Sequence, residues 1–229
     1  MLHIIGIGLS LKDISARGLE AIKNCDKVYL ESYTSVSDFS IKELEEFIGK
    51  KVIQLNRKQV EEEKPFLNKN TALLVYGDPL SATTHYEISK GAEIIHAPSI
   101  LTAVAETGLS LYKFGKTASI PFHPAESFFD ILEQNQSIDA HTLFLLDLDP
   151  ENNKFLDIKT AIQRISEIAK KRNFKLNKIV ACARLGMKNP IIKYDTPENL
   201  KKQNFGKPPY CIIAPAELNF KEEESLSRL

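Results

Sequence analysis

The sequence predicts an α/β protein whose first half is a parallel β-sheet covered by helices, and three observations carry that expectation. Short apolar, β-branched runs alternate with helical segments through residues 2–108, a pattern that suits strands buried on both faces. Those runs stop on small or turn-forming residues, as in "GIGL" (6–9), "GDPLS" (77–81) and "PSI" (98–100), so turn chemistry marks each strand end. The texture then changes around the connection "KFGKTASIPFHPAES" (113–127), and the boundary between two halves is expected near 111–116.

Taken in order, "LHIIGIGL" (2–9) reads as a buried strand ending in glycines. "DISARGLEAIKNC" (13–25) reads as a helix with Asp13 or Ser15 as N-cap and Leu19, Ile22 and Cys25 on one face. "KVYLES" (27–32) is a second strand. "SIKELEEFIG" (40–49) has a capping box in Ser40 and Glu43, an apolar stripe through Leu44, and a stop at Gly49. "KVIQLN" (51–56) and "TALLVYG" (71–77) are further strands, "HYEISKGA" (85–92) a short helix, "EIIHAPS" (93–99) a fifth strand and "ILTAVAETG" (100–108) a helix. In the second half, 127–135 and 156–173 read as helices, and 141–148, 178–186, 190–195 and 210–216 as strands. The final "KEEESLSRL" is charged and is expected to fray.

Composition narrows the function classes. Formal net charge is zero, so no global pull toward nucleic acid or an anionic membrane is expected. "KKRN" (170–173) is expected to close a helix, where basic residues complement the dipole. Cys25, Cys182 and Cys211 are sparse, odd in number and never in C-x-x-C spacing, which points to a reducing, cytoplasmic compartment, and Cys182 and Cys211, in strand-like runs, read as buried packing residues. His3, His85, His96, His123 and His141 form no metal-binding spacing. No signal peptide and no run of transmembrane length are visible.

The chemistry turns on "GDPLSATTH" (77–85), where a buried strand ends on an acid and then exposes hydroxyl residues. An ordinary turn explains this, because Asp bonds nearby backbone donors. A ligand-binding strand end explains it equally, since parallel sheets bind ligands at the carboxyl ends of their strands. Gly6-x-Gly8 followed by Leu11, with Glu31 ending the next strand, matches only part of a dinucleotide fingerprint. No phosphate loop and no G-x-S-x-G elbow is present.

"IIGIGLSLKDIS" (4–15), "VYLESYTS" (28–35), "GDPLSATTH", "HAPSI" (96–100), "GLSLYKFGKTASIPF" (108–122), "HTLFLLDL" (141–148), "ARLG" (183–186) and "FGKPPYCIIAP" (205–215) resemble, in order along nearly the whole chain, the diphthine branch of the tetrapyrrole-methylase superfamily. The resemblance implies two α/β domains, 1–112 and 113–229, with S-adenosyl-L-methionine in the interdomain cleft and S-adenosyl-L-homocysteine as product. It implies a homodimer and, as protein substrate, translation elongation factor 2. The acceptor it implies is the amine of that factor's 3-amino-3-carboxypropyl-modified histidine, without direct nucleic-acid or membrane contact. Carried onto matching positions, the cofactor contacts fall on Leu9, Asp78, Ser81, Ser99, Ile100, Leu146, Leu185 and Tyr210; Tyr210 stands where histidine is frequent. Leu146 and Leu185 suit plain core packing as well. No catalytic residue is assigned. In-line methyl transfer needs alignment and a neutral amine, so the lack of an obvious nucleophile or metal cluster is compatible with it. The alternatives are a precorrin or uroporphyrinogen C-methyltransferase and a non-catalytic nucleotide-binding partner of a translation factor.

Overall fold

A computed structural model describes residues 1–67, 70–81 and 87–229. The chain divides into two units. The first holds Met1–Ala103 with Asp149–Asn153 and Gly186–Lys188; the second holds Val104–Leu148, Lys154–Leu185 and Asn189–Leu229.

The first unit contains β1 (Leu2–Gly6), α1 (Ala16–Asn24), β2 (Lys27–Glu31), α2 (Ile41–Ile48), β3 (Val52–Leu55), β4 (Thr71–Val75), β5 (Glu93–Ile95) and α3 (Ile100–Ala103). Its strands pair in parallel in the order β3-β2-β4-β1-β5. Adjacent residues of one strand face opposite sides. Ile5, Leu30 and Leu74 accordingly join the cluster with Ile22 and Leu44, while Ile4, Tyr29 and Leu73 join the cluster with Val60 and Phe66. Both faces are covered, which is why the runs lack polar alternation. Helix α1 starts where the Ser15 side chain accepts from the Gly18 N–H. Helix α2 has the expected capping box, and Gly49 closes it with φ +70°. The expected helix over 100–108 is shorter as an α-helix, because Val104–Thr107 tighten into a 3₁₀ turn before Gly108. Residues 87–92 of the expected short helix form turns and no helix; 85–86 lie outside the described residues.

The second unit contains β6 (Ala118–Ile120), α4 (Ser127–Ser137), β7 (Thr142–Leu146), β9 (Lys154–Phe155), α5 (Ile158–Lys171), β10 (Ile179–Ala183), β11 (Ile191–Asp195), α6 (Pro197–Leu200), β12 (Tyr210–Ala214) and α7 (Phe220–Leu226), while the two-residue strand β8 (Leu148–Asp149) falls at the boundary of the units. The sheet order is β11-β10-β12-β7-β6, antiparallel except for β6 with β7. Phe128, Phe129 and Leu132 of α4 and Ile162 and Ile165 of α5 pack on it. The "KKRN" stretch ends α5 as expected, and its Arg172 guanidinium reaches Asp130 at 2.6 Å and Glu133 at 2.8 Å on α4. Cys182 and Cys211 are free, buried and opposite one another on β10 and β12.

The C-terminal stretch departs from expectation. Residues 220–226 are helical, not frayed. Asn219 caps the helix, and Glu222 is 2% exposed. The Glu222 carboxylate accepts from His141 Nε2 (3.0 Å), the Ser110 N–H (2.9 Å) and the Asn219 N–H (3.0 Å). A carboxylate with three donors is stable in the interior, and it fastens the helix.

Candidate active site

Strand β1 has β4 on one side and β5 on the other, so the segments after these three strands emerge together at the carboxyl edge of the first sheet. Just beyond the strands, Gly8 and Gly77 exchange backbone bonds: the Gly77 N–H donates to the Gly8 carbonyl at 2.8 Å and the Gly8 N–H to Gly77 at 3.2 Å. Both have positive φ, +73° and +70°, which glycine adopts without strain. A Cβ on Gly6 would lie 2.6 Å from the Gly77 carbonyl oxygen, 2.8 Å from Pro79 and 2.9 Å from Ala97. The Gly-x-Gly pair thus lets three strand-end segments touch. Glu31, the candidate ribose acid, is fully buried and accepts from the Thr34 N–H at 3.0 Å and from its hydroxyl, so it fixes the "YTS" turn.

Asp78 stands at the centre of this edge and is 8% exposed. Its two oxygens do different things. Oδ1 accepts from the Leu80 N–H (3.0 Å) and the Ser81 hydroxyl (3.3 Å), which makes the turn after β4. Oδ2 faces His96 Nδ1 at 2.7 Å and accepts from the Ala97 N–H at 3.3 Å, which ties that turn to the segment after β5. Burial alone raises the Asp78 carboxyl, but the bonds from Leu80, His96 and Ala97 outweigh it and hold the group below its ordinary range. A fixed negative charge in a largely buried position favours a cationic ligand.

Of the residues expected to bind cofactor, the structure brings Asp78 and Ser81 into direct contact and joins them to the "HAPSI" stretch. Ser99 is buried, and its carbonyl receives the Ala103 N–H at 2.9 Å, so it starts α3 with half-buried Ile100 next in the chain. Leu9 follows Gly8, and its N–H is already given to Asp13 Oδ2 at 3.0 Å; Ser10 does the same at 2.8 Å. Any Leu9 contribution to a ligand therefore comes from its carbonyl or side chain. The Gly186 backbone also approaches Leu9 closely enough that a Cβ there would meet Leu9 Cδ1 at 2.3 Å. Residues 82–85 of "GDPLSATTH" lie outside the described residues.

The remaining candidates belong to the second unit. Leu146 ends β7 inside the core cluster, and the next residue, Asp147, accepts from the Phe122 and Leu148 N–H groups, both at 3.0 Å. Leu185 is buried between two residues of positive φ, Arg184 and Gly186. The Arg184 guanidinium holds that bend by donating to the Lys207 carbonyl at 2.8 Å and the Asn189 carbonyl at 2.9 Å. Tyr210 opens β12 opposite Ala183, and its hydroxyl donates to the Gly206 carbonyl. Sequence reasoning missed Asp13 and His96. Nothing in the spacing links His96 to Asp78, 18 residues away; only the flanking of β1 by β4 and β5 does so.

The model for the family of tetrapyrrole (corrin/porphyrin) methylases matches residues 1–200. A curated relative from Archaeoglobus fulgidus, a diphthine synthase, is 43% identical over 99% of this chain and 94% of its own. A diphthine synthase from Methanosarcina barkeri is 39% identical over 100% of this chain and 96% of its own. A crystal structure of a diphthine synthase superposes with a TM-score of 0.91 at 41% identity, covering 99% of this chain and 94% of the other. With matches of this length and identity, the chain belongs to the tetrapyrrole methylase family and, within it, to the diphthine synthases.

Proposed function

We propose that the chain transfers methyl groups from S-adenosyl-L-methionine to the amine of the 3-amino-3-carboxypropyl-modified histidine of translation elongation factor 2. The observation that carries this is the Asp78 cluster at the carboxyl edge of the first sheet, in a chain of diphthine synthase relationship. When bound, S-adenosyl-L-methionine supplies an electrophilic methyl on a cationic sulfur. The residues present fit such a ligand. Gly6, Gly8 and Gly77 bring backbone close to backbone where a side chain would intrude, and the Asp78 charge favours the cationic cofactor over its neutral product. Leu9, Asp78, Ser81, Ser99 and Ile100 hold it from the first unit, and Leu146, Leu185 and Tyr210 complete the set from the second.

The homodimer belongs to the same proposal and is supported by the family resemblance. Three free, buried cysteines suit a reducing compartment, the cytoplasm. Among the described residues, no helix is long and apolar enough to cross a membrane.

The test offers both acceptor classes with labelled S-adenosyl-L-methionine: elongation factor 2 bearing the aminocarboxypropyl histidine, and uroporphyrinogen. Mass spectrometry is expected to show methyl additions on the protein, and activity is expected to rise with pH until the amine is neutral. Methylation of the ring with none on the protein overturns the proposal.

A further inference from the structure

A protonated amine has no lone pair, so each methyl transfer to the acceptor nitrogen requires the removal of one proton first. We infer that His96 is the base that takes this proton, with Asp78 orienting its imidazole; the inference rests on the amine acceptor proposed above.

His96 Nδ1 lies 2.7 Å from Asp78 Oδ2. An ionised carboxylate only accepts, so Nδ1 carries the hydrogen and Nε2 presents its lone pair. The His96 side chain is 66% exposed, whereas that of Asp78 is 11% exposed. The pair therefore has a largely buried acid, held by its other oxygen, and an imidazole open to solvent. This is the arrangement of a base held by an orienting carboxylate. The acid is fixed independently of the histidine, since its Oδ1 is held by Leu80 and Ser81.

Location supports the same role. His96 follows β5 directly and stands three residues before Ser99, while its partner Asp78 contacts Ser81. Among the described residues Asp78 is the charged group that faces it. Glu93, on the same strand, is turned to Arg17 at 2.5 Å and His3 at 2.9 Å. Among the described residues, two other candidate bases, His141 and Tyr210, are committed elsewhere. His141 is fully buried, accepts the Ala216 N–H at Nδ1 (2.9 Å) and bonds Glu222 through Nε2. The Tyr210 hydroxyl is given to Gly206.

In the step itself, one N–H bond of the substrate ammonium breaks, its electron pair stays on nitrogen, and the proton bonds to Nε2. Asp78 stabilises the imidazolium without taking the proton. The exposed ring then passes the proton to water, ready for the next transfer to the same nitrogen.

The test uses the full chain in two states. In the ligand-free protein, nitrogen NMR of the His96 ring is expected to report the Nδ1–H tautomer, and Asp78→Asn is expected to change it. With cofactor and modified elongation factor 2, His96→Gln is expected to keep cofactor affinity by calorimetry. Its kcat at neutral pH is expected to fall about 10²–10⁴-fold, with the deficit closing as rising pH neutralises the amine. Added imidazole is expected to restore part of the activity of His96→Ala. A His96→Gln enzyme with normal kcat and pH profile overturns the inference, as does a rise in KM alone or a loss equal at every pH. A loss found instead in His85→Gln, with His96→Gln normal, assigns the base elsewhere. Absence of transfer by the unaltered chain overturns the function proposed above, and this inference with it.

Discussion

Asp78→Ala removes the acceptor of four contacts, and the structure gives each a different weight. The Leu80 N–H bond is short, at 3.0 Å, and closes the turn. The Ser81 and Ala97 contacts are long, at 3.3 Å each. The His96 contact is short, at 2.7 Å, but its imidazole is exposed enough for water to replace the carboxylate. Leu80 is 40% exposed, so losing its bond costs the net worth of a hydrogen bond, about 0.5–1.5 kcal/mol. With partial loss at Ala97 this comes to roughly 1–2 kcal/mol, or about 2–8 °C in melting temperature for a chain of this length. Asp78→Asn separates the two oxygens. Its one remaining oxygen keeps the turn, so most of the stability survives, while the charge and the bond to His96 Nδ1–H are lost. Both variants are expected to bind S-adenosyl-L-methionine about ten- to a hundredfold more weakly, the worth of a charged hydrogen bond. Thermal melts and calorimetry on the same preparations read both effects. The sign with pH follows from the depressed carboxyl: its contribution is complete above the ordinary Asp range and disappears as pH falls through the lower folded-state value. If Asp78→Asn binds the cofactor as tightly as the unaltered chain, the charge is not used and the reasoning fails. If Asp78→Ala melts normally, the turn bonds contribute nothing and the structural half fails.

Glu222→Ala strands three donors, the buried His141 Nε2–H among them, and a buried donor left unsatisfied costs about 1–3 kcal/mol; an unchanged urea midpoint would contradict this. Burial opposes ionisation of Glu222, but His141 and the Asn219 and Ser110 N–H groups prevail and lower its carboxyl. The unaltered chain should therefore lose stability as pH drops below the ordinary glutamate range, and Glu222→Gln should lose less over the same interval. Gly6→Ala places a methyl 2.6 Å from the Gly77 carbonyl oxygen; overpacking of this kind costs about 1–3 kcal/mol, and weaker cofactor binding should accompany it in calorimetry. In sedimentation the chain is expected as a dimer. Tyr112, Ile138 and Phe220 are 102%, 72% and 78% exposed, on segments joined through Lys113–Asp139 at 2.9 Å and the Glu217 N–H to Asp139 at 3.0 Å. Tyr112→Lys with Phe220→Lys should yield monomer if copies pair through this face, and an unchanged mass places the interface elsewhere.

What the sequence shows of this fold follows the range of the forces involved. The runs at Ile4–Ile7 and Leu73–Val75 announce strands because both faces of the first sheet are buried. The capping box of Ser40 and Glu43 is legible because it closes within one turn. Strand order is not legible, since β4 enters between β1 and β2 through long-range pairing alone. Strand β6 is three residues long and is followed by Pro121, too short to show a period. The acidic run before the C-terminus reads as surface, yet Glu222 is buried because His141, 81 residues away, meets it.

At Asp78 a turn and a role toward a ligand do not exclude one another. A turn needs one acceptor, pointed back along its own chain, and Oδ1 supplies it to Leu80. A carboxylate has a second oxygen, and here it points across to the segment after β5, where it accepts from His96 and the Ala97 N–H. The local bond is visible in the order Gly-Asp-Pro, because its partner lies two residues on. The second bond depends on β5 lying beside β1 on the side away from β4, which no spacing of residues encodes. The charge that ends the strand thus also sets the tautomer of an exposed imidazole, and only the folded sheet edge puts the two within reach.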